Sequence, residues 1–104
     1  GVAYKQDIDD YRESPALKVI DVLEREGAEV TFFDPWVKEY KHNGQVRQSI
    51  PALTEQVLKE ADLVMITTAH TNVDYDMVQK NAALIFDTKN AMKNIANREN
   101  IEVL

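Results

Sequence analysis

Gly1-Val-Ala-Tyr-Lys5-Gln-Asp-Ile-Asp-Asp10-Tyr-Arg-Glu-Ser-Pro15 opens the chain, and its order of residue types reads as strand end, loop and helix start. Val2 to Tyr4 are apolar enough for the end of a strand, and Asp7, Asp9, Asp10, Arg12 and Glu13 make a charged loop with Ile8 as its one aliphatic anchor. Ser14 and Pro15 then begin a helix. A Ser hydroxyl accepts from a free backbone N–H at that position, and Pro has no N–H to leave unpaired in the first turn. In an open α/β sheet such a loop emerges at the carboxyl end of its strand, where these folds bind ligands. Lys5 and Arg12 are therefore candidate anion contacts. The alternative is that both are surface charges paired with Asp7, Asp9, Asp10 or Glu13.

Downstream, Ala16, Val19, Ile20 and Leu23 recur at helical spacing with Lys18, Asp21, Glu24 and Arg25 opposite them, which predicts a surface helix lying on a core. Gly27 is its expected stop. Glu29 to Phe33 is strongly β-prone and ends at Asp34-Pro35, so the first third reads as a βαβ unit with a right-handed crossover. Phe32 and Phe33 are expected in the core. Asp34 could be the acidic residue that meets a ribose in dinucleotide folds, or simply a turn opener. The glycine-rich fingerprint that should precede a ribose-binding acid is absent, because no Gly lies between Gly1 and Gly27.

Trp36 to Gln48 reads as a long solvated loop with a turn at Asn43-Gly44, followed by a short strand near Gln48 to Ile50. Pro51 and Thr54 introduce a brief helix that turns Val57, Leu58 and Ala61 inward. Leu63 to Ile66 is a continuous apolar run of the kind found in a strand covered on both faces, and it is expected at the centre of the sheet. The loop Thr67 to Asn72 follows, carrying His70, which could serve as a general base or a hydrogen-bond donor. Nothing in the spacing supplies a nucleophile or an orienting carboxylate, so a structural role is favoured. Asn72 or Asp74 caps the next helix; Ala83 to Phe86 is a second buried-type strand closed by Asp87-Thr-Lys-Asn90, and Ile101 to Leu104 a last edge strand.

The alternation predicts one domain over residues 1–104: an α/β, doubly wound, mostly parallel Rossmann-like sheet flanked by helices, with a truncated first strand. The short first strand and the lack of an initial Met suggest a piece of a longer chain. Without cysteine there is no disulfide, thiolate-metal or thiol-nucleophile chemistry, and His42 and His70 are not spaced as metal ligands. No apolar run approaches the roughly 18 residues that span a bilayer, so a soluble, cytoplasmic protein is expected. A net charge of −6 argues against nucleic acid, which needs a dense basic face. Global steering would also oppose a phosphate ligand, so its binding must rest on a few well-placed cations.

The ordered set Gly1-Val-Ala-Tyr-Lys5, Asp9-Asp10-Tyr-Arg12-Glu-Ser-Pro15, Gly27-Ala-Glu-Val, Phe33-Asp-Pro35, Ala61-Asp-Leu-Val, Thr68-Ala-His70 and Phe86-Asp-Thr-Lys-Asn90 resembles the carboxyl-terminal domain of the UDP-glucose/GDP-mannose dehydrogenase family. Its form is most similar to the branch that oxidises UDP-N-acetylglucosamine or UDP-N-acetylmannosamine at C6. The resemblance implies an NAD-dependent oxidation of the C6 alcohol to a carboxylate, in two hydride transfers through a cysteine, within polysaccharide biosynthesis. It also implies that the NAD-binding domain, the helical dimerisation domain of a homo-oligomer and the cysteine all lie outside these residues, leaving the fragment inactive alone and weak toward UDP. Tyr4 and Lys5 match the family's aromatic-Lys pair at the UDP-sugar, Arg12 matches an Arg that reaches the cofactor, and Lys89 stands where other members carry a substrate-facing Arg. Lys keeps the charge there but lacks the bidentate fork. The alternative class is a free-standing Rossmann-like regulatory or nucleotide-binding module; a receiver-type domain would want an acceptor Asp after Met65-Ile66, where Thr67-Thr68 stand instead.

Overall fold

The computed structural model describes residues 1–104. Helix α1 runs from Pro15 to Arg25, and the Ser14 side chain caps it by accepting from the Ala16 N–H at 3.3 Å. It ends as its sequence suggests. Gly27 takes φ +95°, its N–H donates to the Glu24 carbonyl and the Ala28 N–H to that of Leu23. This pair of reverse bonds satisfies carbonyls the helix leaves free, and the left-handed residue between them suits Gly.

Residues 36–48 correct the expectation of a long loop. Strands β1 (Glu39–His42) and β2 (Gln45–Gln48) form an antiparallel hairpin. The turn at Asn43-Gly44 has φ 52° and 77°, the two left-handed residues of a type I′ connection whose twist matches the flanking strands. Tyr40 is the one buried side chain of the hairpin, and apolar alternation is correspondingly faint. Together with Val2, Ala3, Leu17, Ile20 and Val37 it makes a first core, against which Ile8, Tyr11, Val30 and Phe32 pack.

Helix α2 (Glu55–Glu60) is capped by Thr54, strand β3 is Val64–Ile66, helix α3 (Tyr75–Asn81) is capped by Asp74, and strands β4 (Ile85–Asp87) and β5 (Ile101–Val103) follow. The three strands form a parallel sheet in the order β3-β4-β5, with Ile66 beside Asp87 and Asp87 beside Val103. The central strand is thus β4, not β3 as the apolar run suggested, and Ile85 is fully covered. Leu58, Ile66, Val78, Ala82, Ile85 and Met92 form the second core.

Neither Val2–Tyr4 nor Glu29–Phe33 joins a ladder, contrary to expectation. In the opening segment, side chains take the backbone groups that a neighbouring strand would have used. The Val2 and Ala3 N–H groups donate to Asp34 Oδ2 at 2.8 and 3.1 Å, while the hydroxyls of Thr67 and Thr68 donate to the Gly1 and Ala3 carbonyls. In the second segment the Phe32 carbonyl accepts from the Ile50 N–H at 2.9 Å. The seam between the two cores is therefore polar, and it lies at the carboxyl end of β3.

Candidate functional site

Two turns and the first segment meet at the carboxyl ends of β3 and β4. Asp87 is fully buried, and its carboxylate accepts from the N–H groups of Lys89 (3.1 Å), Ala91 (3.0 Å) and Met92 (2.8 Å). Thr88 ties the same turn back to β3 through the Ile66 carbonyl. This bonding fixes the backbone that carries Lys89, with Asn90 in the left-handed region at φ 54°. Across from it, the Tyr4 N–H donates to the Asp10 carbonyl at 2.8 Å, closing the loop that carries Lys5.

The result is a cleft of about 340 Å³ lined by Tyr4, Lys5, Gln6, Thr67, Thr68, Ala69 and Lys89. A second hollow of about 290 Å³ adjoins it, sharing Gln6, Ala69 and Lys89 and adding His70, Thr71, Tyr75, Asn90, Ala91 and Lys93. No carboxylate lines either one, in a chain with 18 acidic residues against 12 Lys and Arg. Lys5, Lys89 and Lys93 bring three ammonium groups to the two hollows with no counter-charge in the lining, an arrangement electrostatically suited to an anion. Lys5 and Lys89 have no acidic partner within ion-pair distance, and Lys5 Nζ lies 6.0 Å from the centre of the Tyr4 ring.

Of the four residues singled out from sequence, Tyr4, Lys5 and Lys89 come together around this cleft, and Arg12 does not line it. Arg12 is bound to Asp10 by Nε–Oδ1 and Nη2–Oδ2 contacts of 3.0 and 3.1 Å and stays exposed. That pairing raises the guanidinium further and holds the Asp10 carboxyl below its ordinary value, chiefly through the side-chain bond between them. Sequence reasoning missed Gln6 as a lining residue; only its place next to Lys5 marks it.

Asp34 and His70 were also underread. Asp34 Oδ2 accepts from Val2, Ala3 and His70 Nε2 (2.9 Å), and Oδ1 from the Trp36 and Val37 N–H groups. Burial alone would push this carboxyl up, but the bonds from His70, Val2, Trp36 and Val37 outweigh it and hold it below the usual range. With Asp34 spent on these donors, a ribose-binding role is closed to it. No group of three His, Cys, Asp or Glu is arranged to hold a metal ion, and no helix is long and apolar enough to cross a membrane.

Residues 1–94 match the sequence model of the UDP-glucose/GDP-mannose dehydrogenase family, UDP binding domain. The chain belongs to this family. Among relatives in it, the UDP-N-acetyl-D-mannosamine dehydrogenase of Methanocaldococcus jannaschii is 36% identical over 107 residues, covering 95% of this chain and 22% of that protein. The corresponding Campylobacter jejuni enzyme is 38% identical over 72 residues, covering 67% of the chain and 18% of its own length. The structure of the Pyrococcus horikoshii UDP-D-ManNAc dehydrogenase superposes with a TM-score of 0.73 at 30% identity, over 99% of this chain and 23% of that one. The α/β, Rossmann-like fold is thereby shared with a dehydrogenase of the family. The chain spans about a fifth of the length of the relatives it matches.

Proposed function

We propose that the chain is the nucleotide-sugar-binding domain, over residues 1–104, of an NAD-dependent UDP-sugar 6-dehydrogenase, with a UDP-N-acetylhexosamine as the substrate. The observation that carries this reading is the acid-free cleft of Lys5 and Lys89 beside Thr67 and Thr68, in a domain of the UDP-binding family. A diphosphate carries charge that two ammonium groups from opposite walls can share. Each charge-assisted hydrogen bond contributes roughly 1.5 to 3 kcal/mol. Tyr4, half exposed at the same rim, offers an aromatic face and a hydroxyl to the sugar or base.

The chain's own chemistry is binding and orientation. With no cysteine, it supplies no thiol nucleophile for an oxidation that passes through one. Nor does it hold a dinucleotide cradle. Its three glycines are Gly1, Gly27 at a helix end and Gly44 in the hairpin turn, so no glycine-rich phosphate loop is formed. NAD fits these residues only at its flank, where Arg12 on the exposed Asp10–Arg12 turn would meet it across the cleft from another domain, in a homo-oligomeric cytoplasmic enzyme.

The test is NADH formation by the full-length protein, supplied in turn with UDP-N-acetyl-D-mannosamine, UDP-N-acetyl-D-glucosamine and UDP-glucose. A Lys5→Ala variant is expected to raise KM about ten- to a hundredfold, the loss of one charge-assisted bond. Unchanged KM would remove Lys5 from the substrate site, and no NADH with any UDP-sugar would remove the activity.

A further inference from the structure

The loop that carries Lys5 is held in an unusual way. Asp7, two residues on, sits in the left-handed region at φ 61°, a conformation that disfavours any residue with a Cβ and persists where its surroundings enforce it. Its N–H donates to Nδ1 of His70 at 2.8 Å, and its carboxylate accepts from the Thr71 N–H (2.8 Å) and hydroxyl (2.7 Å). Because Nδ1 accepts a backbone N–H, the imidazole proton belongs on Nε2, which donates to Asp34. Asp34 in turn is fixed by four backbone N–H groups. His70 is 1% exposed, and its carbonyl accepts from the Tyr75 hydroxyl at 2.6 Å. Its neighbour Ala69 lines the Lys5 cleft, whereas His70, almost wholly buried between Asp34 and the loop, borders only the adjoining hollow.

We propose that His70 is a positioning residue for the cleft: the buried Asp34–His70–Asp7 relay sets the backbone conformation from which Lys5 addresses a diphosphate. A filler of hydrophobic volume would need no acceptor at Nδ1, whereas this imidazole spends both ring nitrogens, one on the anchor and one on the loop. The inference rests on the reading of Lys5 as a diphosphate contact and adds a requirement to it, that affinity depends on a side chain the ligand does not touch.

The two ring nitrogens can be separated experimentally. His70→Asn keeps an oxygen near the Nδ1 position to accept the Asp7 N–H, and His70→Gln keeps a donor near Nε2 for Asp34 but loses that acceptor. Calorimetric titration of UDP into the full-length protein should show about a tenfold loss for His70→Gln and less than about threefold for His70→Asn, since only the former frees the loop. On a Lys5→Ala background the His70→Gln loss should shrink below about twofold, because the relay acts through Lys5.

An equal loss on both backgrounds, or the same loss for both His70 variants, would make His70 merely structural and overturn the proposal. So would an unchanged affinity for His70→Gln while Lys5→Ala weakens UDP, an outcome that leaves the diphosphate reading standing. If Lys5→Ala alone has no effect, that reading fails and the relay falls with it. Should His70→Gln not fold, Thr71→Val removes an exposed hydroxyl that anchors Asp7. It is expected to weaken UDP about threefold, again only when Lys5 is present; no change would overturn the relay.

Discussion

Asp34 accepts from five donors. Its folded-state pKa lies below its ordinary 3.8, so the carboxylate's contribution to stability is complete above that value and is lost as the pH falls through the depressed one. Asp34→Asn replaces an acceptor oxygen with an NH₂ that faces N–H donors. A loss of about 2 to 4 kcal/mol is expected in urea unfolding near neutral pH, with a flatter acid limb than the parent; equal stability would show that the clamp is dispensable. Tyr75 is pushed up to about 12 by burial first and then by Asp87 and Asp7. In a spectrophotometric titration one of the four tyrosines should therefore ionise near pH 12, and that step should vanish in Tyr75→Phe. Lys89→Ala should weaken UDP about tenfold or more, and Lys89→Arg should at least retain affinity, because the planar fork can bind phosphate with two parallel bonds. Lys5 was legible, with Arg12, as a cation on a strand-end loop of an acidic chain, and Lys89 only through the family resemblance; charge alone did not separate Lys5 from Arg12, which does not line the cleft. Asp34 and His70 were not legible, since nothing local shows that residues 36 positions apart share a hydrogen bond.

Helices were the most legible elements, because their caps are local chemistry. Ser14, Thr54 and Asp74 each accept from a first-turn N–H, and Gly27 ends α1. Replacing Gly27 by Ala meets open space but keeps the left-handed strain, so a cost of about 1 kcal/mol is expected from chemical denaturation. Gly44→Ala should behave alike at the β1–β2 turn and leave UDP affinity unchanged, since no hairpin residue lines the cleft. A change in UDP binding there would mean that the hairpin is coupled to the site. The hairpin itself was half legible: Asn43-Gly44 announced the turn, but Lys41, His42, Gln45 and Arg47 hid the strands. Arg47 forms an ion pair with Glu24, and His42 Nε2 lies 3.0 Å from Asp21 Oδ2, both on α1, so polar contacts hold this hairpin where apolar alternation would normally signal it. The first βαβ unit failed for the opposite reason. Val2, Ala3 and Glu29 to Phe33 have strand propensity, yet Asp34, Thr67 and Thr68 satisfy the backbone groups of the opening segment in place of a ladder.

At the scale of the molecule, two apolar cores meet along a polar seam, and the seam ends in the acid-free cleft at the strand ends. The bonds that join the halves, donated by Thr68 to the Ala3 carbonyl, by His70 to Asp34, by the Asp7 N–H to His70 and by Thr71 to the Asp7 carboxylate, also fix the backbone around Lys5. Stability and the proposed binding therefore share residues here. The α/β class was legible from the alternation of elements, while sheet order was not, because an apolar run of four residues does not reveal which strand is central. The most direct test is the structure of the full-length protein crystallised with UDP. Lys5 and Lys89 Nζ are each expected within hydrogen-bond reach, about 3 Å, of diphosphate oxygens. A diphosphate bound elsewhere, or both ammonium groups left facing solvent, would contradict the assignment of this cleft.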